Sequence, residues 1–205
     1  ASGGRFLCWE AESPNGVIYI DGEMPLIVLQ ERLYQIDKSR GHQKKVILKI
    51  VNPDVQEFGI PDLSTTEGQN EIDALISDEI KLVVLDNLST LFRSGKEYDS
   101  DSWLPVQEWL LRLRSRGKSV LLIHHAGKSG QQRGTSRRED VLDTVITLKR
   151  PVEYKQQDGA CLEVFFERNR SLYGDEVKPF EARLESHLNE DGVKTFEGSW
   201  RSLED

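Results

Sequence analysis

The strongest constraint on the fold is the segment 81–89, KLVVLDNLS, in which an unbroken apolar run ends in Asp86 and polar residues follow at once. Such a run is typical of a strand that is buried on both faces, as in a parallel sheet. The same pattern recurs in residues 17–23, which end in carboxylates, and in residues 119–125, which end in two histidines. Because open α/β sheets bind ligands at the carboxyl ends of their strands, these polar residues are expected to meet at one sheet edge.

The order of the predicted elements indicates an α/β fold for the first two thirds of the chain. Strands are predicted at residues 17–21, 46–51, 82–86 and 119–124, helices at residues 25–37, 67–77 and 103–116, and loops at residues 52–66 and 126–139. Strands and helices that alternate at this spacing predict βαβ crossovers and a parallel sheet.

All three predicted helices carry an apolar stripe that is expected to face the core. In residues 25–37 the stripe consists of Leu26, Leu29, Leu33 and Ile36. In residues 67–77 it consists of Ile72, Leu75 and Ile76. In residues 103–116 it consists of Val106, Trp109, Leu110 and Leu113, and the polar residues 99–102 are expected to cap this helix.

The last third of the chain predicts an antiparallel β extension. Strands are predicted at residues 141–148, 161–167, 177–184 and 193–197, and Asp158-Gly159 and Asp191-Gly192 are hairpin turn signals. The 205 residues fit a single domain, with residues 1–140 as the α/β core and residues 141–205 as mostly β structure.

The composition limits the partners and the compartment. The net charge is −8, so any contact with nucleic acid must be local and not a global basic surface. The two cysteines, Cys8 and Cys161, form no CxxC pair, which favours a reducing, cytoplasmic setting. Apolar runs of membrane-spanning length do not occur in the sequence, so a membrane partner is not expected.

The phosphate-binding P-loop that would complete a nucleotide site is missing from the sequence. That loop requires Gly-x-x-x-x-Gly-Lys-Ser/Thr between a strand and a helix. The nearest segment, Gly127-Lys128-Ser129, has Leu122 where the first glycine should stand, and it follows the histidine strand. Either the chain begins downstream of a P-loop, or it is not an active NTPase.

Five segments in a fixed order resemble a known family. They are residues 4–9 (GRFLCW), 19–25 (YIDGEMP), 82–88 (LVVLDNL), 122–128 (LIHHAGK) and 133–136 (RGTS). This succession resembles the RecA-like ATPases of the RepA type, which are hexameric replicative helicases of plasmids and phages. The resemblance implies a RecA-like parallel sheet flanked by helices, the cofactors ATP and Mg²⁺, a homo-oligomer that is a hexamer, and single-stranded DNA as a partner.

The resemblance also implies roles for residues at the predicted sheet edge. Asp86 would be the Walker B aspartate that holds Mg²⁺, with Asn87 beside the nucleotide. Glu23 would be the catalytic glutamate that orients or deprotonates the attacking water. His124, or its neighbour His125, would sense the γ-phosphate. Structural alternatives stay open, since Asp86 can cap a βα turn and Glu23 can stabilise a helix N-terminus.

A basic, glycine-containing loop follows the histidines and carries the remaining predicted roles. Arg133 matches the family's arginine finger, which reaches the phosphate of a neighbouring subunit, and Arg137 and Arg138 compete for that role. Lys128, Arg137 and Arg138 are candidates for contacting single-stranded DNA through its phosphates. The alternative is an ordinary solvated loop.

Two other functions fit the same sequence. One is a non-catalytic RecA-like interaction module without a P-loop, which the missing motif favours. The other is a RecA-fold ATPase that is not a helicase, because the fold does not determine the function.

Overall fold

The computed structural model describes residues 1–40, 47–94, 103–125 and 141–203. The strands are β1 (Gly4–Phe6), β2 (Trp9–Ala11), β3 (Gly16–Asp21), β4 (Leu48–Val51), β5 (Ile80–Asp86), β6 (Ser119–Ile123), β7 (Thr144–Lys149), β8 (Ala160–Asn169), β9 (Phe180–Leu188) and β10 (Lys194–Ser202). The helices are α1 (Leu26–Arg40), α2 (Thr66–Asp73), α3 (Leu88–Leu91) and α4 (Leu104–Ser115).

The chain divides into two compact units. The first unit comprises residues 1–3, 13–30 and 44–141, and the second comprises residues 4–12, 31–43 and 142–205. The first unit therefore holds the parallel strands, and the second holds the antiparallel ones. The assignment of residues 1–205 to a single domain stays a prediction.

The first unit is built on a parallel sheet of four strands in the order β4-β3-β5-β6. Its two central strands, β3 and β5, are largely buried on both faces, and successive side chains point to opposite faces of the sheet. Ile18, Ile20 and Leu85 are fully buried in the hydrophobic core. Asp21 and Asp86 are register partners on neighbouring strands and therefore share the other face. The predicted α/β class and its flanked parallel sheet are confirmed.

Helices α2, α3 and α4 contribute residues to the hydrophobic core, with corrections to the prediction. The core includes Ile72 of α2 and its neighbour Ile76, together with apolar residues of α4. Helix α2 ends at Asp73, four residues before the predicted end, and Leu75 is 41% exposed, so its predicted inward orientation is wrong. Beyond the last helical residue the 3.6-residue period no longer sets the direction of a side chain.

Two further differences concern the helices. Helix α1 extends to Arg40, and although Leu29 is buried as predicted, Ile36 is 47% exposed. Helix α3 was not predicted, because four residues carry no readable periodicity. The polar cap predicted for α4 at residues 99–102 lies outside the described residues.

The second unit contains an antiparallel sheet in the order β10-β9-β8-β7, as the β extension predicted. The second unit also contains a hairpin of β1 and β2. Asp191-Gly192 does join adjacent strands, and Gly192 takes the left-handed conformation with φ 72°. Asp158-Gly159 is not a tight hairpin turn, since it ends a ten-residue connection, residues 150–159, that includes the 3₁₀ turn Gln156–Asp158.

In the part of the chain that the structure describes, no helix has both the length and the apolar character that crossing a membrane requires.

Candidate functional site

The carboxyl ends of β3, β5 and β6 lie side by side at one edge of the parallel sheet. Asp21 ends β3 and Asp86 ends β5, and the two are in register. The main-chain N–H of Gly22 donates to the carbonyl oxygen of Asp86 at 2.7 Å, which joins the two strand ends. Asp86 is also in register with Ile123, the last residue of β6, so the histidines follow directly.

The half-buried carboxylate of Asp86 is held by Tyr19. The Tyr19 hydroxyl donates a hydrogen bond to Oδ2 of Asp86. Tyr19 lies two residues before Asp21 on β3, so the strand period places it on the same sheet face as the two aspartates. The peptide bond between Asp86 and Asn87 is cis. Tyr19 therefore limits the directions in which the Asp86 carboxylate can turn.

Asp21 is a buried carboxylate with one oxygen in use. It is 2% exposed, and its Oδ1 accepts hydrogen bonds from the main-chain N–H groups of Glu23 and Met24 at 2.8 and 2.9 Å. Within the described residues its Oδ2 is buried and has no hydrogen-bond partner. Buried polar atoms nearly always have a partner, so this oxygen marks a place for a water molecule or a cation.

Asn87 is the buried N-cap of α3. The residue is only 1% exposed. Its Oδ1 accepts hydrogen bonds from the main-chain N–H groups of Ser89 and Thr90 at 3.0 and 3.3 Å. The hydroxyl of Thr90 accepts in return from the main-chain N–H of Asn87 at 3.4 Å, which completes a capping box. Helix α3 therefore begins directly at the sheet edge.

A triangle of side chains lies at this edge, formed by Glu23, Asn87 and His125. Nδ2 of Asn87 donates to Oε2 of Glu23 and lies 3.1 Å from Nε2 of His125. The same histidine nitrogen is 3.3 Å from Oε2 of Glu23. The side chains of Glu23 and His125 are 61% and 68% exposed, whereas Asn87 is buried. The carboxylate of Glu23 and the imidazole of His125 thus face solvent, while the buried Asn87 side chain holds a fixed position behind them.

The sequence analysis named His124 or its neighbour His125 as the γ-phosphate sensor. In the structure, His125 is the one that lies beside Glu23, with Nε2 3.3 Å from Oε2. His124 is half-buried directly after β6. The predicted roles of Glu23, Asp86, Asn87 and His124 stay predictions. The remaining predicted site residues, Lys128, Arg133, Arg137 and Arg138, lie outside the described residues.

The loop after β3 is tied to the loop after β4, which fixes the segment that carries Glu23. Nδ2 of the fully buried Asn52 donates to the carbonyl oxygen of Met24 at 2.7 Å. The carboxylate of Asp54 accepts from the main-chain N–H of Leu26, the first residue of α1, at 2.8 Å. Residues 52–54 thus support the site, although the sequence indicated only a loop.

Sequence reasoning missed Tyr19, Asn52 and Thr90. The strand period could have found Tyr19, since it places residues 19 and 21 on one face. The spacing Asn-x-x-Thr after the apolar run could have indicated a helix cap at Asn87. The sequence held no signal for the contact that Asn52 makes with Met24.

The residues at the edge fit a hydrated divalent cation. Mg²⁺ prefers carboxylate oxygens and keeps several of its waters. Asp86 supplies a carboxylate. Oδ2 of Asp21, which has no hydrogen-bond partner among the described residues, lies on the same sheet face. No cluster of three or more metal-ligating side chains occurs among the residues described, so water and phosphate oxygens would have to complete the coordination. A phosphate-cradling P-loop is absent from the sequence itself.

Comparisons with known proteins agree with this architecture. Residues 1–131 match the profile of a family that is described as an AAA domain. The crystal structure of the RadB recombinase is similar in fold, with a TM-score of 0.56 and 13% sequence identity, over 90% of this chain and 78% of that one. No curated protein matches this sequence.

Proposed function

Since the chain belongs to the AAA domain family and has a RecA-like α/β fold, we propose that it is the ATP-hydrolysing motor domain of a DNA replication helicase. The observation that carries the proposal is the meeting of Glu23, Asp86 and His125 at the carboxyl edge of the parallel sheet. In such sheets this edge is where nucleotides bind. Glu23 and His125 are exposed there, so a ligand can reach them.

The residues at the edge divide the chemistry of phosphoryl transfer between them. Asp86, with Tyr19 behind it, would hold Mg²⁺, which neutralises charge on the phosphates when it is bound. Glu23 would orient the attacking water and accept its proton. Asn87 would keep Glu23 in place, and a histidine at the end of β6 would contact the terminal phosphate. The phosphates need further binding groups from outside residues 1–205 or from a neighbouring subunit, because the sequence contains no P-loop.

The first test is ATP hydrolysis by the full-length natural protein, with and without single-stranded DNA. Glu23→Gln is expected to lower kcat about 100-fold or more, because it removes the general base and keeps the shape of the side chain. Glu79→Gln is the matched control, since Glu79 is exposed just before the opposite end of β5. Equal kcat values for Glu23→Gln and the wild type would contradict the assigned role.

The proposal also includes a hexameric ring in which Arg133 acts across the subunit boundary. Arg133→Ala is expected to abolish turnover by itself. Mixing Arg133→Ala subunits with Glu23→Gln subunits should restore part of the activity, because some interfaces then combine an intact arginine with an intact glutamate. Arg32→Ala is the control for a general loss of positive charge. Mixtures that stay inactive would contradict the assignment of Arg133 as the arginine finger.

Contact with single-stranded DNA is proposed for Lys128, Arg137 and Arg138. Alanine at each is expected to weaken binding equally for all sequences and to reduce the salt dependence of binding, since phosphate contacts release counterions. DNA-stimulated turnover would support the helicase, whereas turnover that DNA leaves unchanged would support a RecA-fold ATPase without helicase activity.

The second candidate function is a non-catalytic interaction module. The absence of a P-loop from residues 1–205 favours it. A folded, oligomeric full-length protein that hydrolyses no ATP would replace the motor proposal with this one.

A further inference from the structure

The orientation of the Asn87 amide is determined by its role as a helix cap. Its Oδ1 accepts from the main-chain N–H groups of Ser89 and Thr90, so the oxygen must point toward α3. An amide flipped by 180° would set its NH₂ group against two N–H donors. The NH₂ group of this buried side chain therefore points away from the helix, toward the exposed edge of the sheet.

The NH₂ group has two hydrogens and two neighbours that can accept them. Oε2 of Glu23 receives one, and Nε2 of His125 lies 3.1 Å from the same Nδ2. A neutral imidazole has one donor nitrogen and one acceptor nitrogen. If Nε2 accepts from the N–H donor of Asn87, the proton of the neutral ring lies on Nδ1. This tautomer is set by the hydrogen bond that the ring accepts.

The same nitrogen also lies 3.3 Å from Oε2 of Glu23. If Nε2 carried the proton, the ring would donate to Glu23 and lose its hydrogen bond from Asn87. The two tautomers therefore differ in whether the ring accepts from Asn87 or donates to Glu23.

We propose that Asn87 is a positioning residue that orients the Glu23 carboxylate and holds the neutral His125 ring in its Nδ1–H tautomer. One amide, fixed from behind by α3, sets the direction of both groups. The role in turnover rests on the proposed ATP hydrolysis, in which Glu23 orients water. The hydrogen-bond arrangement itself is a property of residues 1–205.

The tautomer is tested without any ATP turnover, by long-range ¹H–¹⁵N NMR of the His125 ring at about pH 8, where an ordinary imidazole is neutral. The expected signature is an unprotonated Nε2 and a protonated Nδ1. A ring with its proton on Nε2 would overturn the proposal. His187, an exposed residue of β9 that lies 3.9 Å from Glu185, serves as the internal reference.

Asn87→Ser separates positioning from helix capping. Serine is as good an N-cap as asparagine, so α3 keeps its cap, but the variant loses the NH₂ donor. The His125 ring is expected to lose its Nδ1–H preference in this variant, while the spectrum of His187 stays the same. If the tautomer of His125 were identical in wild type and variant, Asn87 would not determine it.

Turnover of the full-length protein provides the second measurement. Asn87→Ser is expected to lower kcat about tenfold or more with little change in KM, since misplacing a catalytic group impairs the reaction more than substrate binding. His125→Gln, whose Oε1 can accept from Asn87, should retain more of the kcat than His125→Ala. Unchanged kcat in Asn87→Ser would overturn the positioning role. If the full-length wild type showed no turnover, the proposed function would be contradicted instead. The NMR result would still show whether Asn87 sets the tautomer of His125.

Discussion

Gly22 shows how closely the backbone is packed at the sheet edge. A Cβ atom at this position would lie 2.3 Å from Oγ1 of Thr90 and 2.9 Å from Cδ2 of Leu91. Both neighbours belong to α3, whose first turn carries Asn87 as its cap. A glycine between Asp21 and Glu23 is therefore what allows α3 to approach β3.

Gly22→Ala is expected to destabilise the first unit by about 1–3 kcal/mol, because the added methyl group forces α3 away from β3. The free energy of unfolding, measured by urea titration, checks this. Thr90→Ala provides the control, since it removes Oγ1, the nearest obstructing atom, while the Cβ atom of residue 90 stays 2.9 Å away. The double variant should cost less than the sum of the single variants, because the sites are in contact. Additive losses would contradict the steric explanation.

At the scale of elements, Asp62, in the loop before α2, forms hydrogen bonds with the segment that directly follows α3. Its carboxylate accepts from the main-chain N–H groups of Ser64, Arg93 and Ser94 at 2.9, 3.0 and 2.9 Å, and from the Ser94 hydroxyl. The main-chain N–H of Leu63 donates to the carbonyl of Leu91 at 2.8 Å in the same region. Although partial burial acts to raise it, the hydrogen bonds from Ser94, Ser64 and Arg93 lower the pKa of Asp62 to about 2.

This pKa predicts a pH-dependent contribution to stability. The charged form is favoured in the folded state, so Asp62 contributes stability fully above its ordinary pKa of 3.8 and loses it as the pH falls toward about 2. Asp62→Asn is expected to cost about 1–2 kcal/mol near neutral pH and almost nothing near the folded-state pKa. Urea titrations across this range measure the difference. Asp78→Asn, at an exposed position of the same unit, is the control, and a loss of equal size at every pH would contradict the assignment.

Elements with long apolar runs could be predicted, and those defined by contacts could not. The strands that end at Asp21 and Asp86 were readable because burial on both faces leaves a continuous apolar signal. Helix α3 is only four residues long and is specified by its cap, which a periodicity cannot detect. The choice between His124 and His125 was equally hidden, since β6 ends at Ile123 and strand alternation no longer applies beyond it.

At the scale of the whole molecule, each compact unit buries at least one carboxylate as well as apolar residues. The first has a continuous hydrophobic core that includes Trp109 and Leu85. The second contains a buried carboxylate, since Glu181 of β9 is 4% exposed. It accepts from Nε of Arg183 at 2.8 Å and from Nη2 of Arg201 at 2.9 Å. The hydrogen bonds from Arg201 and Arg183 lower the pKa of Glu181, so its contribution to stability is present above pH 4.5 and is lost as the pH falls.

Glu181→Gln should therefore loosen the antiparallel sheet before it affects the parallel one. The variant keeps the size of the side chain but loses the charge that two guanidinium groups share, at an expected cost of about 1–3 kcal/mol. Hydrogen exchange followed by mass spectrometry should show the largest increase in β8, β9 and β10 and the smallest in β3 and β5. Glu185→Gln, on the same strand but with its side chain 63% exposed, is the matched control and should leave exchange near the wild-type rate. An increase of equal size in both sheets would mean that the two units open as one cooperative body.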